Sequence, residues 1–347
     1  MKKFMLYGLI LVFVCSGVFA AGAAEEAPEK FPTKPIKIIV GFNAGGGIDA
    51  MARTIAPAFE EYLGVSVIVE NMPGASSGVA AEYVAKQKAD GYTLFACSSS
   101  MCVFSTSENS DITYKDLDML IMPFTTHIPA VLVNAKSDMH TMEDFIAYVN
   151  NNKSTASTAG VGSTWHFPAI LLADEIGASS KVSYVPYPSG KETTLAVARG
   201  EVDWSTCGIY QESYESISSG LVRPLAVLDS KPFDLKGYGL VPSVLDSIPG
   251  LDKYIDIIGG WRGFAVKKGT PDAVKAKLTE ALEFAVNSES FVKLLNNNGL
   301  STDSVLMGED SQKLFEKSSR LFSYLLYDMG STPRDPMKIN VPRWSGN

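Results

Sequence analysis

Apolar and polar positions follow two rhythms along this chain. Ile36–Gly41 reads IKIIVG, a short β-branched run that predicts a buried strand. After the glycine-rich turn Asn43–Gly47, the residues Ile48, Met51, Ile55, Phe59 and Leu63 recur at helical spacing. Gly64 is the expected stop of that helix, and Pro57 inside it is expected to kink it. Val65–Val69 predicts a strand, Ala80–Lys88 a short helix and Tyr92–Ala96 a third strand. The order βαβαβ is the signature of a mostly parallel sheet with helices on its faces.

The rhythm then restarts. Ala130–Asn134 reads as a strand, and Thr141 with Asp144 resembles a capping box ahead of Phe145, Ile146 and Val149. Ser154–Ala159 is a polar strand candidate, followed by a small-residue turn, Gly160–Trp165, and a helix over Phe167–Ile176. Lys181–Pro186, Val202–Thr206 and Leu221–Leu228 predict further strands, with a helix at Thr193–Arg199 between the first two. Leu235–Leu251 reads as a connection and Trp261–Val266 as a strand. Thr270-Pro271 reads as a hydroxyl cap with proline at the first helical position. A terminal amphipathic helix carries Leu314, Phe315, Leu321, Phe322 and Leu325. The reading is an α/β protein of two lobes, one inserted in the other: residues 31–125 with 232–347, and residues 126–231.

The 347 residues suit about two domains, and 46% hydrophobic with 20% charged is a globular composition. A net charge of −8 argues against general nucleic-acid binding, which needs a basic excess. A local anion site remains open, because backbone N–H groups bind anions without lysine or arginine. Residues 1–24 have a secretory layout: Lys2 and Lys3, an apolar run from Phe4 to Val14, then small residues to Ala24. An exported, extracytoplasmic or periplasmic protein is therefore expected. Lipid anchoring at Cys15 is disfavoured because Val14 before it is not small. Cys97, Cys102 and Cys207 are read as small buried hydrophobes. With only His127, His140 and His166 and no HExxH spacing, neither a metal nor a cofactor is expected.

Two turns look alike. Gly41-Phe42-Asn43-Ala44-Gly45-Gly46-Gly47-Ile48-Asp49 and Gly160-Val161-Gly162-Ser163-Thr164-Trp165-His166 each follow a strand and open a helix. Free N–H groups and the helix dipole favour an anion there, and glycine permits close approach. One such turn is commonly just a steric feature of a short βα loop. Two, one per lobe, point to a shared cleft beyond the carboxyl ends of the strands. The chain has no dinucleotide fingerprint, no P-loop and no G-x-S-x-G elbow. Ser98, Ser99 and Ser100 follow a strand and offer hydroxyls. His166 lies at a helix start, where a hydrogen bond to backbone is expected rather than catalysis.

Further motifs follow in order: Val69-Glu70-Asn71-Met72-Pro73-Gly74-Ala75, Ala89-Asp90-Gly91-Tyr92-Thr93-Leu94, Gly200-Glu201-Val202-Asp203 and Trp261-Arg262-Gly263-Phe264-Ala265-Val266. Together with the first turn they resemble the Bug-type periplasmic solute-binding receptors of tripartite tricarboxylate transporters, from about Phe31 to about Tyr327. The resemblance implies a two-lobed periplasmic-binding-protein fold of the Venus-flytrap, type II-like kind. It implies a non-catalytic, monomeric receptor that passes a small di-, tricarboxylate or related carboxylate to membrane permease subunits. Ligand contacts are then expected from Gly45, Gly46, Gly47, Ile48 and Asp49, from Ser98, Ser99 and Ser100, from Gly162, Ser163 and Thr164, and from Tyr187 and Asp203. Arg262 stands where the family usually has an aromatic, and it is read as a surface cation that could otherwise pair with a carboxylate. A secreted α/β enzyme acting on a similar acid and the ligand-binding component of a sensor are the alternatives.

Overall fold

The computed structural model describes residues 30–106, 111–124, 128–160, 162–209, 213–297 and 305–345. The secretory segment 1–24 with Cys15, and His127, lie outside them.

The chain opens as the apolar rhythm predicts. Strand β1 (Ile36–Val40) leads into helix α1 (Gly47–Leu63), then β2 (Val67–Asn71), α2 (Gly78–Lys86) and β3 (Thr93–Ser98). On α1 the residues Ile48, Met51, Ile55, Phe59 and Leu63 are all buried. Each contributes roughly 1.5–3 kcal/mol by leaving water. The helix runs on through Pro57, which lies on its exposed face, and ends where Gly64 adopts φ 68° and donates to the Glu60 carbonyl. Next comes β4 (Leu117–Phe124), which the pattern did not mark.

The second lobe holds β5 (Pro129–Asn134), α3 (Met142–Asn151), β6 (Ser154–Thr158), α4 (His166–Glu175), β7 (Val182–Pro186), α5 (Gly190–Arg199), β8 (Trp204–Gly208), α6 (Tyr214–Ser218) and β9 (Val222–Val227). The capping box before α3 is present: Thr141 Oγ1 accepts from Asp144 N–H, and the Asp144 carboxylate accepts from Thr141 N–H. The stretch read as a connection contains a small hairpin, β10 (Phe233–Leu235) with β11 (Gly239–Val241), and a short helix α7 (Ile255–Ile258). The chain re-enters the first sheet as β12 (Arg262–Lys267). It ends with α8 (Asp272–Val286), α9 (Glu289–Asn297), β13 (Leu306–Met307) and α10 (Gly308–Asp328). Thr270 does not cap α8: its hydroxyl donates to the Lys267 carbonyl, and Pro271 precedes the first helical residue.

Both sheets are mixed rather than mostly parallel. The first runs β13-β4-β12-β3-β1-β2, and the second β7-β6-β8-β5-β9. Within the first, β1 pairs parallel with β2 and β3, while β12 is antiparallel to both β3 and β4. Within the second, β6 pairs parallel with β7 and β8, while β5 is antiparallel to β8 and β9. The physical reason is the crossing of the chain. A strand that arrives from the other lobe enters its sheet at the end where its neighbours leave, so β5 and β12 run against them.

One apolar cluster backs α1 with Phe264, Leu278, Leu282 and Phe291. Another fills the second lobe around Val197, Cys207 and Val227. The largest joins the lobes: Phe167 of α4 stacks on Phe322 of α10, with centroids 3.8 Å apart. Cys97, Cys102 and Cys207 are buried thiols outside any disulfide, packed where small hydrophobes would be.

Candidate functional site

The carboxyl ends of β1, β3 and β6 and the entry of β12 converge between the lobes on a cavity of about 220 Å³. From the first glycine turn it takes Gly46, Gly47 and Ile48, from the serine run Ser98 and Ser100, and from the second turn Thr164. Phe42, Trp165, Gly259, Trp261 and Arg262 complete its walls. Two larger hollows, of about 630 and 500 Å³, are walled by the first lobe alone: one by α1 and β2, the other by α8 and the start of α10. Neither involves a glycine turn.

The first turn is fixed by a network built on Asp49. Its carboxylate is 3% exposed and accepts from Gly45 N–H at 2.8 Å, Arg53 Nε at 2.9 Å and Asn71 Nδ2 at 2.9 Å. Asn71 Nδ2 also donates to the Phe42 carbonyl, and Asn71 Oδ1 accepts from Arg53. Burial by itself would raise the Asp49 pKa. The bonds from Arg53, Gly45 and Asn71 and the Arg53 charge overcome this and hold it below the usual carboxylate range. Asp49 and Gly45 therefore shape the turn from behind and do not line the cavity. Arg53 and Asn71 escaped sequence reasoning. Their signals were the i,i+4 spacing from Asp49 and the asparagine that ends β2. With Asp49 neutralised from behind, the first-turn N–H groups of Gly47 and Ile48 keep the positive end of α1 toward the cavity.

The second turn is used differently. Gly162 N–H donates to His166 Nδ1 at 3.0 Å, and the Ser163 carbonyl accepts from the N–H groups of His166 and Phe167. Gly162 packs beside Val103 and Leu326, and neither it nor Ser163 lines the cavity. His166 is thus bonded to backbone, as its place at a helix start suggested. Burial lowers its pKa to about 4, so it is neutral at pH 7.

The lobes meet at the cavity rim. Ser99 Oγ and Thr164 Oγ1 lie 3.5 Å apart, and Ser99 N–H donates to the Trp261 carbonyl. Gly260, at φ 70°, lets them close: a Cβ there would stand 2.6 Å from Thr164 Cγ2 and 2.7 Å from Ser99 Oγ.

Two expected contacts are not brought to the site. Asp203 accepts from Tyr148 Oη, Thr155 N–H and Thr155 Oγ1 where β6 and β8 begin, at the end of the sheet away from the cavity. Tyr187 donates its hydroxyl to Glu201 at 3.0 Å. Both have internal partners because strand ends and helix turns need them. Arg262 is a correction in the other direction. It is no surface cation: it is paired with Ser98 across β12 and β3, half-buried, and part of the cavity wall.

Among the described residues, no group of His, Cys, Asp and Glu is placed to hold a metal ion, and no helix is long and apolar enough to cross a membrane.

Residues 51–320 match the family model described as tripartite tricarboxylate transporter family receptor, TctC. BugT of Bordetella pertussis is 29% identical over 291 residues, covering 82% of this chain and 86% of its own. A TctC solute-binding protein from Polaromonas, solved without ligand, is 27% identical and superposes with a TM-score of 0.74, covering 86% of this chain and all of that one (100%). MatC from Rhodopseudomonas palustris, solved with malate bound, shares the fold at 21% identity and a TM-score of 0.65, over 85% of this chain and 100% of its own.

Proposed function

This chain belongs to the tripartite tricarboxylate transporter receptor family, and from that premise we propose that it captures a small carboxylate between its lobes and hands it to the permease of such a transporter outside the cytoplasm. The family is one of solute-binding receptors, not enzymes, which sets aside the reading of a secreted catalyst.

The observation that carries the proposal is the cavity bounded by turns from both lobes, with Gly46, Gly47 and Ile48 on one wall and Thr164 on the other. A ligand that touches both walls binds the closed arrangement better than the open one. That difference in affinity is what shifts the equilibrium toward closure. Closure in turn removes water from around the polar contacts and strengthens them. The permease then distinguishes loaded from empty receptor by shape. The carboxylate-bound relative MatC supports the ligand class. The cavity also falls below the ~300 Å³ lower end of drug-sized pockets, which favours a short acid.

The test is a thermal-shift screen of the exported protein against mono-, di- and tricarboxylates, followed by calorimetry on each acid that raises the melting temperature. Free acid at 100 times its Kd adds about 2.7 kcal/mol of stability. Scattering with that acid should give a smaller radius of gyration. A protein that no carboxylate stabilises, or that turns the acid over, sinks the reading.

A further inference from the structure

We infer that the open edge of the first sheet is a docking surface for a second copy of this chain: β2 pairs antiparallel with its own counterpart about a two-fold axis beside Val69, and the two α1 helices meet alongside. The inference is independent of what the cavity binds, and it departs from the monomer that the family resemblance implies.

The edge comes first. β2 is the last strand of the first sheet and pairs only with β1. The Ser66 carbonyl accepts from Ile36 N–H, and Met72 N–H donates to the Val40 carbonyl, so Ser66, Ile68, Glu70 and Met72 turn toward β1. By the two-residue period of a strand, Val67, Val69 and Asn71 turn their backbone N–H and C=O groups outward. Val67 N–H is bonded to the Glu60 carboxylate at 3.0 Å. Among the described residues, no strand covers the rest of that edge. A row of outward N–H and C=O groups is a template for another strand.

A helix face lies along the same edge. Arg53, Ala56, Pro57, Glu60 and Glu61 recur at i, i+3, i+4, i+7 and i+8, which makes them one stripe of α1. With Val67 and Val69 they wall the hollow of about 630 Å³. The stripe is uncharged in the middle, at Ala56 and Pro57, and charged at both ends. α1 runs against β2: Arg53 donates to Asn71 Oδ1 at 2.8 Å, and Glu60 reaches back to Val67 N–H. Ala56 and Pro57 therefore stand level with Val69, the midpoint of the strand.

Charge selects the occupant. At one end the cation is the exposed member of its pair, with the Arg53 side chain 49% exposed and that of Asp49 only 4%. At the other end stand two exposed carboxylates, Glu60 and Glu61. A two-fold axis perpendicular to the sheet lays the Arg53 end of one copy against the acidic end of the other. The same axis sets Val69 opposite Val69 and Val67 opposite Asn71, pairs that exchange both backbone bonds. Glu60 then yields Val67 N–H to the incoming strand and turns to the arginine of the other copy. Ala56 and Pro57 face their counterparts across the axis, where short side chains let the helices approach.

The experiment is sedimentation velocity on the exported protein without added acid, from micromolar to near-millimolar concentration. Wild type should form a reversible dimer that weakens with added NaCl. Glu61→Arg sets like charges together at both ends of the interface and should raise the dimer Kd about tenfold or more. Its side chain is exposed, and an unchanged melting temperature establishes that the variant is folded. Cys97, Cys102 and Cys207 are buried, so an added surface thiol reports its own surroundings. Pro57→Cys should give a disulfide-linked dimer under mild oxidation, whereas Lys231→Cys, exposed on the second lobe, should not. A wild type that stays monomeric throughout overturns the inference and leaves the edge bare or open to a strand of the permease. A dimer that Glu61→Arg leaves intact, or that Pro57→Cys does not link, forms through another face and overturns it as well. Neither result bears on the receptor reading.

Discussion

The two glycine turns are near twins in sequence and opposites in use. In the first, Asp49 draws in Gly45 N–H, Arg53 and Asn71, and the turn presents backbone from Gly46 to Ile48 to the cavity. In the second, the turn consumes its own donors: Ser163 N–H goes to the Gly160 carbonyl, Gly162 N–H to His166, and His166 N–H back to Ser163. Thr164 and Trp165 are the residues of this turn that line the cavity. Glycine content predicts that a backbone can be approached. Whether it is available depends on which local side chain reaches it first.

The comparison breaks most sharply at Gly46. Its φ of −76° is open to any residue, and an added Cβ meets only the Asn43 carbonyl at 3.3 Å. Gly46→Val should therefore keep native circular dichroism while losing about 100-fold or more in affinity, some 2.7 kcal/mol. Unchanged calorimetry would reduce the first turn to a tight connection like the second.

Asp49→Asn comes next. It keeps the shape but removes the charge that Arg53, Asn71 and Gly45 bond to, and hydrogen bonds to a charged group are worth roughly 1.5–3 kcal/mol each. A lower melting temperature and a loss of about tenfold in affinity, about 1.4 kcal/mol, are expected. A variant that binds like wild type would show that the turn holds its form without the network.

The second turn is tested through pH. His166 is buried neutral with a pKa near 4, against 6.5 in the unfolded chain. Between those values the unfolded state binds more protons, so stability rises with pH there. It is fully present above 6.5 and is lost as pH falls toward 4. The total is on the order of 3 kcal/mol. Denaturant melts from pH 7 to pH 4.5 should show this slope in wild type and a shallower one in His166→Asn. Equal slopes would place the acid sensitivity elsewhere.

The smallest effect on binding is expected at Asp203→Asn. Its bonds to Tyr148 and Thr155 stand at the far end of the second sheet, so affinity should stay within about twofold while stability falls by about 1–3 kcal/mol. A large loss of affinity would mean that the cavity reaches further than its present walls.

Much of the first lobe was legible because its local signals agree. The period of α1 gives the buried face, and Gly64 marks its end. The strand β4 was missed because Leu117–Phe124 lacks a clear alternation and includes Pro123, which speaks against a strand. The directions of β5 and β12 were not legible at all. A strand's sense depends on the lobe from which the chain arrives, and no local window holds that. The same reason hid Arg262. Its neighbours Ser98 and Gly47 are distant in sequence and meet it only once β12 slots beside β3. Asp203 misled in the opposite way: an acid in a matching motif can serve the sheet as readily as the ligand.

The place of β12 also bears on when this protein can fold. It lies inside the first sheet between β3 and β4, with Arg262 opposite Ser98 and Lys267 opposite Leu117. That sheet cannot be completed until the whole second lobe has been synthesised, and contacts this distant in sequence form slowly. A nascent chain emerging from the ribosome therefore carries β3 and β4 without the strand that joins them until Lys267 has been made. Late closure of this kind leaves the first sheet unfinished, and the chain short of its native fold, while the second lobe is being made.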